Sequence, residues 1–111
     1  MIDFSSLDAV VHGPMRLGIL TTLLAKGDQD FSTLKDLLAV TDGALGMHLQ
    51  KLEDTGYLHC RKSFVVRKPK STYALTAAGR KALAGYVETM EAIVKLVRSK
   101  SVQRREEPPL D

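Results

Sequence analysis

Between Thr41 and Gly56 the apolar residues Leu45, Leu49 and Leu52 recur at steps of four and three. From Leu58 to Val66 the chain turns to β-branched and aromatic residues. The first pattern keeps one stripe of a helix against a core. The second belongs to an extended strand. Gly56, the residue type that ends helices most readily, stands at the change of period. A helix handed directly to a strand constrains what can precede and follow it.

Upstream, Ser32 reads as the N-cap of a short helix carrying Leu34, Leu37 and Leu38, which ends near Ala39-Val40. Thr41 then caps the next helix, with Asp42 placed at its positive end. Two helices with so short a connection make a helix-turn-helix. Earlier still, an apolar segment from Ser6 through Leu7, Val10 and Val11 breaks at His12-Gly13-Pro14. Pro14 restarts a helix that continues to about Ala25. That helix shows two apolar stripes, one of Leu17, Leu20 and Leu24 and one of Ile19 and Leu23. Gly27 ends it, and Asp28-Gln29-Asp30 reads as a polar turn.

Downstream, Arg67-Lys68-Pro69-Lys70-Ser71 reads as a polar turn and Thr72-Tyr73-Ala74-Leu75 as a returning strand. Thr76 caps a last helix expected from Ala77 to about Lys100. The expected fold is therefore mainly α with a small β-hairpin, an α+β winged helix-turn-helix in the order helix, helix, helix, hairpin, helix. Residues 1–100 form one domain, and the tail 101–111 has too little apolar content to pack, so it reads as disordered.

With 111 residues, 44% of them hydrophobic, the chain has room for a single core. It shows no signal-peptide pattern and no apolar run of membrane-spanning length. A lone cysteine builds no disulfide within the chain, and the expectation is a cytoplasmic protein. The net charge of +3 is unevenly spread. Residues 1–58 carry four basic groups against eight acidic ones, whereas residues 59–81 carry seven basic groups and no acid. The cationic stretch coincides with the expected hairpin and gives it a local electrostatic footprint.

If Leu45, Leu49 and Leu52 hold the helix to its domain, its outer face carries Gly43, Gly46, Met47, Gln50 and Asp54, flanked by Asp42, Ala44 and Lys51. A helix of this kind fits the major groove of double-stranded DNA. There Gln50 can pair with an adenine edge, Met47 can touch a thymine methyl, and Lys51 can reach a phosphate. On the hairpin, Arg67, Lys68 and Lys70 lie near the tip beside the minor groove, and Thr72 can donate to a phosphate. Arg61 and Lys62 point to opposite faces, so one of them shares that side, and Lys62 is taken.

No nucleophile, base and orienting group occur together, and there is no glycine-rich phosphate loop, so no enzyme, catalytic residue or cofactor is expected. His12, His48, His59 and Cys60 are the soft-metal ligands on offer. Their spacing supports no metal site.

Several of these residues resemble known families. Thr41 to Tyr57 resembles the recognition helix of MarR-like and ArsR-like winged-helix regulators. Leu75-Thr76-Ala77-Ala78-Gly79-Arg80 is similar to the Leu-Thr-x-x-Gly-Arg signature that closes their wing. Val10 to Leu20 resembles an ArsR-type start, and Phe64 to Tyr73 resembles the wing of small stand-alone members. The likeness covers about residues 7–90. It implies a homodimeric, DNA-binding transcription factor, often a repressor. The paired cysteines of metal-sensing ArsR proteins are missing here, and the resemblance names no small-molecule effector. A winged helix used as a protein-protein module is the alternative.

Past Thr76, the residues Leu83, Tyr86, Met90, Ile93 and Val97 follow at steps of three, four, three and four. This is a heptad-like seam of the kind that pairs helices. With Leu7 and Val10 it is expected to form the interface of a two-fold dimer.

Overall fold

The computed structural model describes residues 1–106, the last five by backbone alone. After a single 3-10 turn at Phe4–Ser6 come α1 (Pro14–Lys26), β1 (Gln29–Asp30), α2 (Phe31–Leu38), α3 (Asp42–Thr55), β2 (Leu58–Val65), β3 (Lys68–Leu75) and α4 (Ala77–Glu106). The order helix, helix, helix, hairpin, helix is as the sequence implies. Among the described residues, no helix is long and apolar enough to cross a membrane.

The segment before α1 forms a turn around Asp8, whose carboxylate accepts from the N–H groups of Val10 (2.8 Å) and Val11 (3.2 Å). The same carboxylate accepts from the Tyr57 hydroxyl. Burial raises the Asp8 pKa, but these three hydrogen bonds outweigh it and leave the group below its ordinary value. Pro14 then opens α1, and Gly27 closes it at a φ of 82°. Of the two stripes on α1, Ile19, Leu20 and Leu23 are buried, Leu17 is half-buried and Leu24 is exposed.

α2 begins earlier than expected. Its cap is Asp30, whose carboxylate accepts from the Thr33 N–H at 2.7 Å, and Ser32 is exposed inside the first turn. Both residue types cap well. Asp30 prevails because it also lies in β1, which pairs with β3 through Gln29↔Tyr73 and Asp30↔Thr72. The expected polar turn is thus the short outer strand of a sheet ordered β1-β3-β2.

The core holds Leu34 of α2 and Leu45, Leu49 and Leu52 of α3 beneath α1, with Leu58, Tyr73, Leu83 and Tyr86 closing it from the sheet and α4. Burying each such side chain stabilises by about 1.5–3 kcal/mol.

The hairpin turns more tightly than its polar run suggests. Only Val66 and Arg67 lie between the strands, and the pairs run from Leu58↔Leu75 to Val65↔Lys68. Pro69 therefore lies inside β3, the middle strand. It is tolerated because β1 covers only Tyr73 and Thr72, so β3 is an edge at residue 69.

Thr76 caps α4 as expected, its Oγ1 accepting from the Gly79 N–H at 3.0 Å. α4 runs past Lys100 to Glu106, and residues 107–111 of the expected tail lie outside the described residues. The radius of gyration, 18.3 Å, exceeds the ~13 Å of a compact domain this size. The distal half of α4 projects from the body.

Leu83 and Tyr86, the first two members of the expected dimer seam, are 3% and 5% exposed inside this subunit's own core. They are not free to meet a second copy. The seam was read from spacing, and spacing does not say which turn of a long helix leaves its domain. Met90 and Ile93 are half-buried, Val97 is exposed, and Leu7 and Val10 are partly buried against the core.

Candidate nucleic-acid interface

α3 is fastened at both ends by local hydrogen bonds. Thr41 Oγ1 accepts from the Ala44 N–H at 3.2 Å. At the other end Gly56 takes a φ of 87°, where its N–H reaches the Glu53 carbonyl and the Tyr57 N–H reaches that of Leu52, both at 2.9 Å. This is the left-handed closure that glycine favours. Leu45, Leu49 and Leu52 are buried, so the opposite face is turned to solvent. Asp42, Gly43, Met47, Gln50 and Lys51 are exposed there, Met47 by 65%, with Ala44 and Gly46 half-buried beside them.

The two acids on this face have partners. Lys35 of α2 sits 2.9 Å from Asp42, and its pKa is raised by that hydrogen bond and charge. Gln50 Nε2 donates to Asp54 Oδ1 at 2.9 Å, so the amide must leave Asp54 before it can present both its groups elsewhere. Gly43 and Gly46 have negative φ, and a Cβ on either would meet nothing within 4 Å. Nothing inside the protein requires glycine at these positions. Each destabilises a helix by roughly 1 kcal/mol relative to alanine.

The hairpin springs from the end of α3, and every residue from 61 to 70 is exposed. Directly paired residues share a face of the ribbon, so the pair Arg61↔Thr72 lies on one side with Lys70 and Lys68. Lys62 pairs with Ser71 on the other side, the side of Phe64, Cys60 and Tyr73. Its turn is strained: Val66 has a φ of 50° and Arg67 of 64°. A two-residue hairpin turn with both central residues in this region favours Asn and Gly. A β-branched residue there costs about 1–3 kcal/mol.

Charge on the cationic side is partly answered from within. Lys70 Nζ lies 3.5 Å from Asp30 Oδ2. The Thr33 N–H and hydroxyl, and after them the Lys70 charge, hold the Asp30 carboxyl below its ordinary range. Beneath the ribbon, burial and then the neighbouring Cys60 push the Tyr73 hydroxyl up to about 12.

A further tie joins the N-terminal segment to α3. Arg16 donates from Nε to the Val10 carbonyl at 2.5 Å, and its Nη1 lies 3.3 Å from His48 Nδ1 on α3. Among the described residues, no group of three His, Cys, Asp or Glu side chains could hold a metal ion.

The sequence profile of the winged helix DNA-binding domain matches residues 15–94. This chain belongs to that family. An uncharacterized protein of Methanocaldococcus jannaschii is 33% identical over 78 residues, which span 70% of this chain and 85% of the relative. A transcriptional regulator homologue from Pyrococcus horikoshii shares the winged helix fold at a TM-score of 0.76, with 23% identity, over 84% of this chain and 93% of its own. A protein of Enterococcus faecalis assigned to the MarR family of transcriptional regulators superposes at 0.68, with 22% identity, over 89% and 87%.

On this winged helix the recognition-helix residues read from sequence share one outward face. The wing set does not. Lys68, Lys70 and Thr72 lie together, while Lys62 lies across the ribbon and Arg61 takes its place. The register was the missing information, because a turn placed at 67–71 leaves the strand pairing undefined. Asp30 and Lys35 carried no motif that would single them out, and Arg16 lies in the ArsR-like stretch Val10 to Leu20, which names no partner for it.

Asp30→Asn keeps a side-chain oxygen for the α2 cap and removes the charge that holds Lys70. Stability at neutral pH should change by no more than about 0.5 kcal/mol, since Asn and Asp cap alike. The wild-type carboxylate, with its folded pKa lowered, contributes stability above its unfolded pKa and loses it as pH falls through the folded value. The variant should lose that part of the acid limb in urea titrations at pH 2–6 and keep the part that Asp8 supplies. Its affinity for duplex DNA at low salt should rise by roughly two- to fivefold, with a salt slope steeper by about one ion. An unchanged slope would mean that Lys70 is not released to a phosphate.

Proposed function

We propose that this winged helix protein regulates transcription by binding double-stranded DNA as a homodimer, with α3 in the major groove and the wing beside the minor groove. The observation that carries the reading is the wing itself. It is an arm exposed along its whole outer length, with Arg61, Lys62, Arg67, Lys68 and Lys70 and no acid. Phosphate contacts supply affinity for any sequence, and base edges supply the choice among sequences. Gln50, Met47 and the close approach allowed by Gly43 and Gly46 serve that second purpose. Repression follows where the bound site overlaps a promoter.

Fluorescence anisotropy with random duplex DNA across a salt series tests this. Affinity should fall linearly with salt on logarithmic axes. Replacing Arg67 and Lys68 by glutamine should weaken binding to all sequences alike and flatten the slope by about two ions. The protein-module alternative expects neither salt-dependent DNA binding nor an effect of the double variant.

The dimer reading rests on what the subunit leaves uncovered. Beyond its own core, α4 exposes Val87, Val94, Leu96 and Val97, with Met90 half-buried. Ser6 and Thr89 share a 2.8 Å hydrogen bond that lays the N-terminal segment along the same helix, leaving an apolar groove among Ile2, Phe4, Ala92 and Leu96. A projecting helix of this kind is covered by a second copy about a two-fold axis. Two recognition helices would then meet successive major grooves, and the preferred site would be an inverted repeat. Light scattering at micromolar concentration should return twice the 12.2 kDa chain mass. Val97→Glu, at an exposed position that leaves the core intact, should return the monomer. A monomeric wild type would contradict this reading.

A further inference from the structure

The tip of the wing is apolar as well as cationic. Phe64 is 78% exposed and Val66 89%, with Val65 exposed beside them. Residues 61–65 extend beyond the last side chain of β2 that is even partly buried, Cys60. On the returning strand Ser71 is still partly buried and Lys70 reaches Asp30, and the last pair, Val65↔Lys68, borders a recess with Asp30, Phe31 and Ser32, so it is the turn itself that stands clear of the body. Val65 borders the recess beside α2, whereas Phe64 and Val66 are left largely uncovered by the described residues. The most exposed of them, Val66, is also the residue held in the strained turn. Strain of this kind persists where a structure uses it, and an exposed valine at positive φ has no packing reason to be there.

What the tip can meet is set by its flanks. Arg67 and Lys68 follow Val66 directly, and Arg61, Lys62 and Lys70 line the arm behind it. An apolar point with cations on all sides suits a polyanion that has apolar surface recessed between its charges. The DNA minor groove has that form: sugars and base edges lie between two rows of phosphates. The groove is about 6 Å wide, and paired strands lie about 4.8 Å apart. With atomic radii added the ribbon is wider than the groove and stays at its rim, so what can enter is a single side chain projecting from the two-residue turn.

Resting on the DNA-binding reading above, we propose that Val66 is an apolar wedge that enters the minor groove beneath the wing and partly unstacks a base step. Arg67 is positioned against the groove wall, and Phe64 packs on the sugar edge at the rim. Inserted apolar side chains open base steps and bend the duplex toward the major groove. Pyrimidine–purine steps open most readily. The wing thereby selects sequence at positions where it makes no hydrogen bond to a base.

The test uses full-length protein, wild type and Val66→Asn. Asparagine suits the turn, retains every charge and removes the apolar point. Duplexes selected by the wild type should carry a TA or CA step under the wing, and replacing that step with a stiff AA step should weaken binding by roughly tenfold. End-to-end energy transfer on the labelled duplex should report a bend. Val66→Asn should lose most of both effects while keeping the wild-type salt slope and its preferences under α3. If the variant keeps the step preference and the bend, the wedge is overturned while DNA binding stands. If the wild type shows no salt-dependent duplex binding, both readings fall together.

Discussion

The backbone around Tyr57 is where the separate elements of this protein are clasped. Its carbonyl accepts from the Thr76 N–H at 3.1 Å, and Thr76 Oγ1 donates to the Gly56 carbonyl at 2.7 Å. Those two bonds bind the end of α3 to the residue that joins the wing to α4. Gly79 completes the clasp: a Cβ there would lie 3.2 Å from the Tyr57 Cα and closer still to its carbonyl oxygen. On the other side the Tyr57 hydroxyl donates to Asp8, which organises the N-terminal segment. The angle between recognition helix, wing and α4 therefore depends on a few local hydrogen bonds as well as on the core.

That dependence explains what the sequence disclosed. Helices whose ends are set by residue type, such as α3 between Thr41 and Gly56 or α4 at Thr76, were legible because one residue suffices to close each end. The outward face of α3 followed at once from the three leucines on its inward face. The wing was legible as a cationic hairpin, yet its faces were not, because they depend on a turn that valine and arginine adopt against their preference. The α2 cap was misplaced for a related reason. Asp30 and Ser32 are both good caps, and only pairing with β3 decides between them. Of the α4 seam, Leu83 and Tyr86 pack in their own domain, which the spacing did not show, because a heptad pattern is the same whether a helix packs on its own domain or on another.

The electrostatics of the site share one logic. Three of its polar side chains are held by internal partners of modest strength: Lys35 by Asp42, Lys70 by Asp30, Gln50 by Asp54. Exposed pairs of this sort contribute little to stability. Such pairs can exchange for another partner at little cost, while in the free protein they hold long side chains in place. The strained tip and the two unneeded glycines are the opposite case. They reduce stability and gain nothing among the described residues.

The central claim is that the outer face of α3 is shaped for close approach to DNA. The most direct measurement pairs thermal unfolding with DNA affinity for Gly43→Ala/Gly46→Ala, where both added methyl groups enter open space. The claim predicts a more stable protein, by roughly 1–2 kcal/mol from helix propensity, that binds its selected duplex at least tenfold more weakly. A more stable protein with undiminished affinity and sequence preference would contradict it.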